Sequence, residues 1–121
     1  MATFNIPAQT ILANMEKDSP SVTVGTKYTD ALVQLTDPNN AWKTTAGNVR
    51  QWGIQRSTDG GTTWSWFLYQ TNLPFGSLDG AGGMPSLELS TGSNQLAATD
   101  RLRLSILTDT NIVLGASVTV S

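Results

Sequence analysis

The chain has 121 residues, of which 39% are hydrophobic and only 13% are charged, and its formal net charge is −2. This length fits a single domain with one core, and the charge balance leaves no basic surface that could neutralise a nucleic-acid backbone. The sequence contains no His and no Cys, which excludes imidazole bases, disulfides and zinc–thiolate sites. We therefore expect no enzyme, no cofactor, no bound metal and no nucleic-acid partner.

The N-terminal residues carry no signal for export or membrane insertion. The opening, MATFNIPAQTILANMEKDSP, lacks a charged start followed by a long apolar run, and no stretch of about 18 apolar residues occurs in the chain. The sequence thus predicts a soluble protein that is not exported and has no membrane partner.

The first third of the chain is predicted to consist of extended segments and turns. Phe4 and Ile6 lie in an opening stretch that is either a strand or part of an extended arm over residues 1–21. Ile11 to Lys17 is the best candidate for a helix, and it is short. Two strands are predicted next, separated by a turn around Gly25 and Thr26; they are marked by Val22 and Val24 and by Ala31 to Thr36.

A hairpin is predicted in the middle of the chain. Residues 49–56 alternate in polarity, residues 57–63 read as a polar turn, and the return strand follows. Alternation on the return strand places Trp64, Trp66 and Leu68 on the core face, and it places Phe67 and Tyr69 on the opposite face.

The last third is predicted to contain three more strands. Leu87 and Leu89 mark the first, and strict alternation marks residues 101–106 and 112–120 on either side of a turn at Thr108 to Asn111. We expect these last two strands to form an antiparallel hairpin. In total, the sequence predicts an all-β chain that forms one antiparallel β-sandwich domain over residues 1–121, with seven or eight short strands and jelly-roll or immunoglobulin-like connections.

Two long segments, Asp37 to Asn48 and Asn72 to Pro85, show no strand pattern, and loops of this length are usually functional or ordered by a partner. The first contains the tetrapeptide DPNN, whose oxygens suit calcium but lack the EF-hand spacing, so a turn is the better interpretation. The second is rich in glycine between Gly76 and Gly83 but has no phosphate-loop pattern. We expect this second segment to be a pliable loop or arm that lies against a neighbouring chain.

One motif is specific. The segment STDGGTTW fits the pattern Ser-x-Asp-x-Gly-x-Thr-Trp at every defined position and resembles an Asp-box, a hairpin motif of sialidases and many unrelated β-proteins. An Asp at this place can accept hydrogen bonds from turn amides, the glycines allow positive φ, and the Trp can fold back over the hairpin. The defined positions of the structural Asp-box are Ser57, Asp59, Gly61, Thr63 and Trp64.

A sugar hydrolase is the function that this motif first suggests, and the rest of the sequence argues against it. Sialidases carry several boxes on propeller blades, whereas this chain has one box and is too short for a propeller. It has only four Arg and two Tyr, and no spacing groups them into a site for an acidic sugar. The box therefore predicts local structure and no catalytic residue.

The layout of the whole chain resembles small β-sandwich structural proteins of tailed bacteriophages. The resemblance rests on the opening IPAQTILAN, the following PSVTV, the Asp-box hairpin, a Gly-rich stretch, an RLRL strand and a final VTVS strand. It implies a non-enzymatic virion component, either a capsid decoration (cement) protein or a small tail-associated protein. For a decoration protein, the resemblance further implies synthesis in the host cytoplasm, a place on the capsid surface, and contacts with the major capsid protein and with copies of itself in a trimer.

Apolar side chains outside the expected core face are the candidates for contacts between chains. They lie in the N-terminal stretch, in the two long loops and on the outer face of the central hairpin: Phe4, Ile6, Trp42, Phe67, Tyr69 and Phe75. Trp42 is equally well explained as a loop staple packed on its own domain, and Arg101 and Arg103 could pair with acids of another subunit. The alternative function is a carbohydrate-binding or host-attachment module in which Trp42, Trp66 or Tyr69 stacks on sugar rings.

Overall fold

The computed structural model describes residues 2–24, 30–78, 83–89 and 96–120. Within these ranges the chain forms nine strands and no helix, which confirms the predicted all-β class. The strands are β1 (Ala2–Ile11), β2 (Lys17–Asp18), β3 (Val22–Thr23), β4 (Ala31–Thr36), β5 (Asn48–Ser57), β6 (Ser65–Pro74), β7 (Ser86–Leu89), β8 (Arg101–Thr108) and β9 (Ile112–Val120). The predicted turn at Gly25 and Thr26 lies outside the described residues.

The strands form two antiparallel sheets. The first sheet has the order β1-β9-β4-β7, and the second has the order β2-β8-β5-β6, with the short β3 also paired to β8. Apart from β3, the strands pair in a nested series, β1 with β9, β2 with β8, β4 with β7 and β5 with β6. This order is that of a jelly roll, and it decides between the two sandwich topologies that the sequence left open.

The predicted hairpin of β8 and β9 is wrong. β8 pairs with β5 in the second sheet, whereas β9 pairs with β1 and β4 in the first, so the turn at residues 109–111 passes from one sheet to the other. Asp109 fixes this crossing because its Oδ1 accepts a hydrogen bond of 2.7 Å from the amide of Asn48 at the start of β5. Alternation shows that each segment buries one of its faces. It does not show whether the two segments pair side by side in one sheet or pack face to face from two sheets, because both arrangements bury these faces in the same core.

The inner faces of the two sheets form the core. Leu102, Leu104 and Ile106 of β8 are fully buried, as their alternation predicts, and they belong to one buried cluster with the alternating apolar residues of β4 and β9. Trp52 of β5 is a fully buried aromatic residue of this core. Its indole Nε1 donates a hydrogen bond of 3.3 Å to Gln70 Oε1 on β6, so the polar atom of the ring is not left without a partner.

The N-terminal stretch is a strand of the chain's own first sheet and not an arm. β1 pairs with β9 along its length, from Ala2 opposite Val120 to Ile11 opposite Ile112. Phe4 and Ile6, expected at an interface between chains, are only 9% and 2% exposed and belong to the core. Their burial is supplied by the facing sheet, so it requires no neighbouring chain.

The best helix candidate of the sequence, Ile11 to Lys17, is not helical, because this segment makes its hydrogen bonds to another loop. Ala13 N donates to Asn111 Oδ1 at 2.8 Å, and Asn14 N donates to Thr108 O at 2.7 Å. Backbone groups bonded across to the crossing turn of β8 and β9 are not available for helical bonds. Among the described residues, no helix is long and apolar enough to span a membrane.

Candidate functional site

The outer face of the second sheet carries an aromatic pair, Trp66 and Tyr69, because a bulge in β6 changes the direction of its side chains. Ile54 of β5 stands opposite Leu68, but the next residue, Gln55, stands opposite Trp66, so Phe67 is the extra residue of a β-bulge. Phe67 and Leu68 therefore both pack against the core, while Trp66 faces outward with Tyr69. The predicted assignment of Trp66 to the core and Phe67 to an interface is corrected by this one-residue shift.

Gly53 of β5 makes the bulge possible. It stands opposite Tyr69 with a φ of 143°, and a Cβ built on it would lie 2.1 Å from the carbonyl oxygen of Leu68. A side chain at this position would occupy the space through which the bulged backbone of β6 passes. The absence of a side chain on Gly53 thus sets the outward direction of the aromatic pair.

The aromatic pair is Trp66 and Tyr69, whose ring centroids lie 5.8 Å apart with the planes tilted by 50°. Tyr69 is 49% exposed, and of the six residues predicted to contact other chains it is the one whose side chain is open to solvent. Trp66 is half-buried beside it. An aromatic surface of this kind is chemically suited to contact with a protein or with the face of a sugar ring.

The Asp-box forms the turn between β5 and β6. Asp59 Oδ1 accepts hydrogen bonds from the amides of Thr62 and Thr63, at 3.1 and 2.9 Å, and from the hydroxyl of Ser57 at 2.7 Å. Ser57 Oγ in turn accepts a bond of 2.8 Å from the amide of Gly61, whose φ is 98°. The carboxylate therefore organises the turn through hydrogen bonds within it.

Trp64, the last residue of the box, joins the turn to a charged cluster on the outer face. Its Nε1 donates to the carbonyl of Gly61 at 3.2 Å, and the guanidinium of Arg103 lies 4.3 Å from its ring centroid. Arg103 also donates to Gln55 Oε1 at 2.7 Å and lies within 4 Å of two acids of its own chain. Arg103, which the sequence offered as a possible partner for acids of another subunit, is thus paired with acids of its own chain.

The two acids beside Arg103 are Glu16 and Asp18. Glu16 Oε2 lies 3.7 Å from Arg103 Nη2, and Asp18 Oδ2 lies 3.5 Å from Arg103 Nη1. Burial and the neighbouring Asp18 carboxyl raise the pKa of Glu16 above its ordinary value. Asp18 also accepts a hydrogen bond from the hydroxyl of the buried Ser105, so the cluster ties β2 to the outer face of β8.

The pH dependence of stability tests the structural role of the Asp-box. Hydrogen bonds from Thr63 and Ser57 hold the pKa of Asp59 well below its usual range. The stability that Asp59 contributes is therefore complete above its unfolded pKa of about 3.9 and is lost as the pH falls below that value. We expect Asp59→Asn and Asp59→Ala to lower the melting temperature at pH 7 and to make its decline below about pH 4 shallower than in the wild type.

The matched control for this measurement is Glu88→Gln, which removes an exposed carboxyl on β7 that is remote from the box along the chain. Its melting temperature should follow the wild-type curve across the acid range. If the melting temperature of Asp59→Asn fell with pH as steeply as that of the wild type, the role assigned to the Asp59 carboxylate would be contradicted.

Trp42 is a loop staple and not an exposed anchor. It is 1% exposed, its Nε1 donates to the carbonyl of Ser77 at 2.6 Å, and its ring centroid lies 5.3 Å from that of Phe75. Trp42 thus joins the two long loops, and Phe75 is half-buried against it. Both residues were candidates for contacts with other chains, and Trp42 also for sugar stacking; its burial within the chain removes it from both roles.

The DPNN segment is a turn, as expected. Asp37 accepts hydrogen bonds from the amides of Ala41 and Trp42, at 2.9 and 3.0 Å, and Asn40 adopts a φ of 53°. Both carboxylate oxygens are therefore used within the loop. In the part of the chain that the structure describes, no group of three or more acidic side chains is placed to hold a metal ion.

β6 is a long edge strand of the second sheet. It has ten residues, pairs with β5 on one side, and pairs with no other strand among the described residues. Its sequence, SWFLYQTNLP, contains no charged residue. An edge strand of this kind presents unpaired backbone groups without the charges that usually prevent pairing with another chain.

Comparison with known proteins adds no relative to these observations. No protein-family model, no curated protein and no solved structure matches the chain.

Proposed function

We propose that the chain is a non-enzymatic structural protein of a tailed-phage virion, a capsid decoration protein that binds the outer capsid surface as a small oligomer. The proposal rests on the resemblance in the layout of the chain. The partners that it implies are the major capsid protein and neighbouring copies of the chain in a trimer. The observation that carries it is the uncharged edge strand β6, together with the half-exposed Tyr69 on it.

The other edges of the two sheets are protected in the ways that soluble proteins commonly use. β1 carries Pro7 and a register shift between Ile6 and Gln9, and β7 has four residues that include Glu88. β2 and β3 have two residues each. Proline, bulges, charge and short length all discourage strand addition. Two described edge strands, β1 and β6, are long and uncharged, and both contain a register shift. The proline of β1 lies inside the strand, whereas that of β6 is its last residue, and β6 also carries the half-exposed Tyr69. These two differences favour β6 as the edge that meets another chain.

A trimer places a requirement on this edge. Three copies around a threefold axis make heterologous contacts, so β6 of one copy meets a different surface of the next. Two copies joined through β6 alone would instead make an isologous dimer. The capsid contact is then strengthened by multivalency, because several weak contacts in one oligomer act at a high effective concentration.

A carbohydrate-binding module for host attachment is the second candidate function. It is supported by the Trp66–Tyr69 pair on the outer face of the second sheet, in which Tyr69 is exposed and Trp66 is half-buried, with the buried Gln55 opposite Trp66. Jelly-roll sandwiches occur both in viral capsid proteins and in lectins, so the fold does not discriminate between the two candidates.

Thr71→Lys tests the proposed association edge. Thr71 is exposed on β6 opposite Gln51, and a lysine there would place a charge on the edge and oppose strand addition. We expect the wild type to show the mass of three 12.9 kDa chains in analytical ultracentrifugation and to co-sediment with capsids of the phage that encodes it. Thr71→Lys should lower the average mass toward one chain and reduce co-sedimentation.

The matched control is Thr3→Lys, which places the same charge on an exposed position of the edge strand β1. It should assemble and co-sediment like the wild type. A wild-type monomer that ignores capsids and binds neutral glycans on an array would overturn the decoration proposal in favour of the carbohydrate-binding module. Assembly that Thr71→Lys leaves unchanged would remove β6 as the association edge.

A further inference from the structure

A polar groove of about 400 Å³ lies beside the Asp-box, between the turn of the box and the outer face of β8. Arg101, Ser21, Trp64 and the glycines Gly60 and Gly61 line it. We propose that this groove binds the carboxylate group of a small ligand, held end-on by the guanidinium of Arg101. The site is separate from the β6 edge, and the proposal does not depend on how the chain assembles.

Arg101 is held in a fixed orientation with one edge of its guanidinium free. Its Nε and Nη2 both donate to Ser21 Oγ, at 3.2 and 2.8 Å. These two nitrogens form one side of the planar fork, so the end of the fork, with one N–H of Nη1 beside one of Nη2, is left without a protein acceptor among the described residues. Two parallel N–H groups at this spacing match the two oxygens of a carboxylate.

The charge of Arg101 is also not balanced by an acid of the described residues. Arg56 and Arg103 each have a carboxylate within 4 Å, whereas no acidic side chain of the described residues lies within that distance of Arg101. A partly buried guanidinium without a counter-ion is a favourable place for an anion. Ser21 adds a hydroxyl hydrogen, because its Oγ already accepts both bonds from Arg101 and remains able to donate.

The Asp-box turn supplies an open wall to the groove. Gly60 has a φ of 79°, and a Cβ built there would meet no atom within 4 Å. Gly61 lies against the side chains of Arg101 and Trp64, with its built Cβ 3.6 Å from Arg101 Cδ and 3.8 Å from Trp64 Cζ2. The turn therefore leaves the backbone accessible beside Arg101, and the indole of Trp64 offers an apolar surface for the carbon skeleton of the ligand.

The balance of charge around the groove favours a singly charged ligand. Arg103 lies on the same strand face as Arg101, but Glu16 and Asp18 offset its charge. The carboxylate of Asp59 belongs to the same turn as Gly60 and Gly61. A phosphate dianion would be opposed by these three acids, whereas a carboxylate needs only the one free guanidinium.

Titration of the ¹⁵N-labelled full chain, followed by NMR at pH 7, tests the proposal. The probes are sodium acetate and sodium glucuronate, with sodium chloride and glucose as controls at matched ionic strength. Both carboxylates should give saturable shifts of the Arg101 Nε signal and of the Gly60 and Gly61 amides, and the two controls should not. Glucuronate binding more tightly than acetate would assign part of the affinity to contacts of the sugar ring with Trp64.

Arg101→Lys is the decisive variant, because lysine keeps the positive charge but cannot present two parallel N–H groups. We expect its affinity for acetate and glucuronate to fall about tenfold. Arg50→Lys, an exposed arginine on β5 that donates to Asn14 Oδ1, is the matched control and should bind like the wild type. The melting temperature of each variant shows that the fold is retained.

Three results would overturn the carboxylate site: no saturable shift with either acid, equal affinity in Arg101→Lys and the wild type, or inorganic phosphate binding more tightly than acetate. None of these results depends on the mass of the assembly or on capsid binding, so failure of this site and failure of the proposed function are distinguishable.

Discussion

Gly53→Ala is expected to lower the free energy of unfolding by about 3 kcal/mol or more. The added Cβ would lie 2.1 Å from the carbonyl oxygen of Leu68 and 2.8 Å from the Cα of Tyr69. Both atoms are backbone, so no side-chain rotation relieves the overlap, and β6 must move away from β5 or lose its bulge. The φ of 143° adds strain for any residue with a side chain. Equilibrium unfolding in urea, followed by tryptophan fluorescence, measures the loss.

Gly60→Ala separates the two causes. Gly60 also has a positive φ, of 79°, but an added Cβ there meets no atom within 4 Å. We expect this control to lose only about 1 kcal/mol, the strain of a left-handed backbone conformation. Equal losses for the two variants would show that backbone conformation alone explains Gly53, and that the close approach of β6 does not matter.

Trp42→Ala is expected to lower the free energy of unfolding by about 3 to 5 kcal/mol. The side chain is 1% exposed, contacts Phe75 and binds the carbonyl of Ser77 through its Nε1. Its removal would leave a cavity between the two long loops and an unpaired carbonyl, and nearby atoms could fill the space only by moving both loops. Urea unfolding measures this loss as well, and proteolysis of the loops provides an independent reading, because loosened loops are cut faster.

Two further tryptophan variants make this prediction specific. Trp42→Phe keeps an aromatic ring beside Phe75 but loses the hydrogen bond to Ser77, so its loss should be about 1 to 2 kcal/mol. Trp66→Ala removes an indole from the outer face, where Tyr69 is its aromatic neighbour, and should cost less than Trp42→Ala. A larger loss for Trp66→Ala would place Trp66 in the core and contradict the register shift in β6.

The features that the sequence predicted well are those set by neighbouring residues. The turn of the Asp-box follows from the side chains of Ser57 and Asp59, which bond amides only a few positions away. The alternation of Leu102, Leu104 and Ile106 likewise determines which face of β8 is buried. Such patterns depend on local geometry and needed no knowledge of how the sheets are arranged.

The features that were not predicted depend on residues distant in the chain. Phe67 and Trp66 lie on the faces opposite to those that alternation predicts, because Gly53, on the neighbouring strand β5, allows β6 to bulge. A second register shift, in the pairing of β5 with β8, makes Arg50 an extra residue. Val49 is therefore buried in the core, although simple alternation along β5 would place it on the outer face. A one-residue shift moves every later side chain of a strand to the opposite face of the sheet. Nothing in the sequence of the strand itself indicates such a shift.

Buried polar residues were the second class that sequence reasoning missed. Asp100 is 2% exposed, accepts a hydrogen bond of 2.8 Å from the amide of Ala97, and lies 3.0 Å from Arg56 Nε. Gln55 is 5% exposed and bonds Arg103 and Glu16. In the sequence these residues resemble ordinary solvated polar groups. Their burial follows from partners supplied by other strands and loops.

The nested pairing of the strands also determines how the chain reaches its folded state. β5 and β6 are joined by one short turn, whereas β2 with β8 and β1 with β9 bring together residues from opposite ends of the sequence. Because loop closure opposes distant pairing, we expect pairing to start at the central hairpin with its Asp-box and the pairs of widest sequence separation to form later. We therefore expect folding in milliseconds to seconds, slow for a domain of this size, with β1 and β9 joining last.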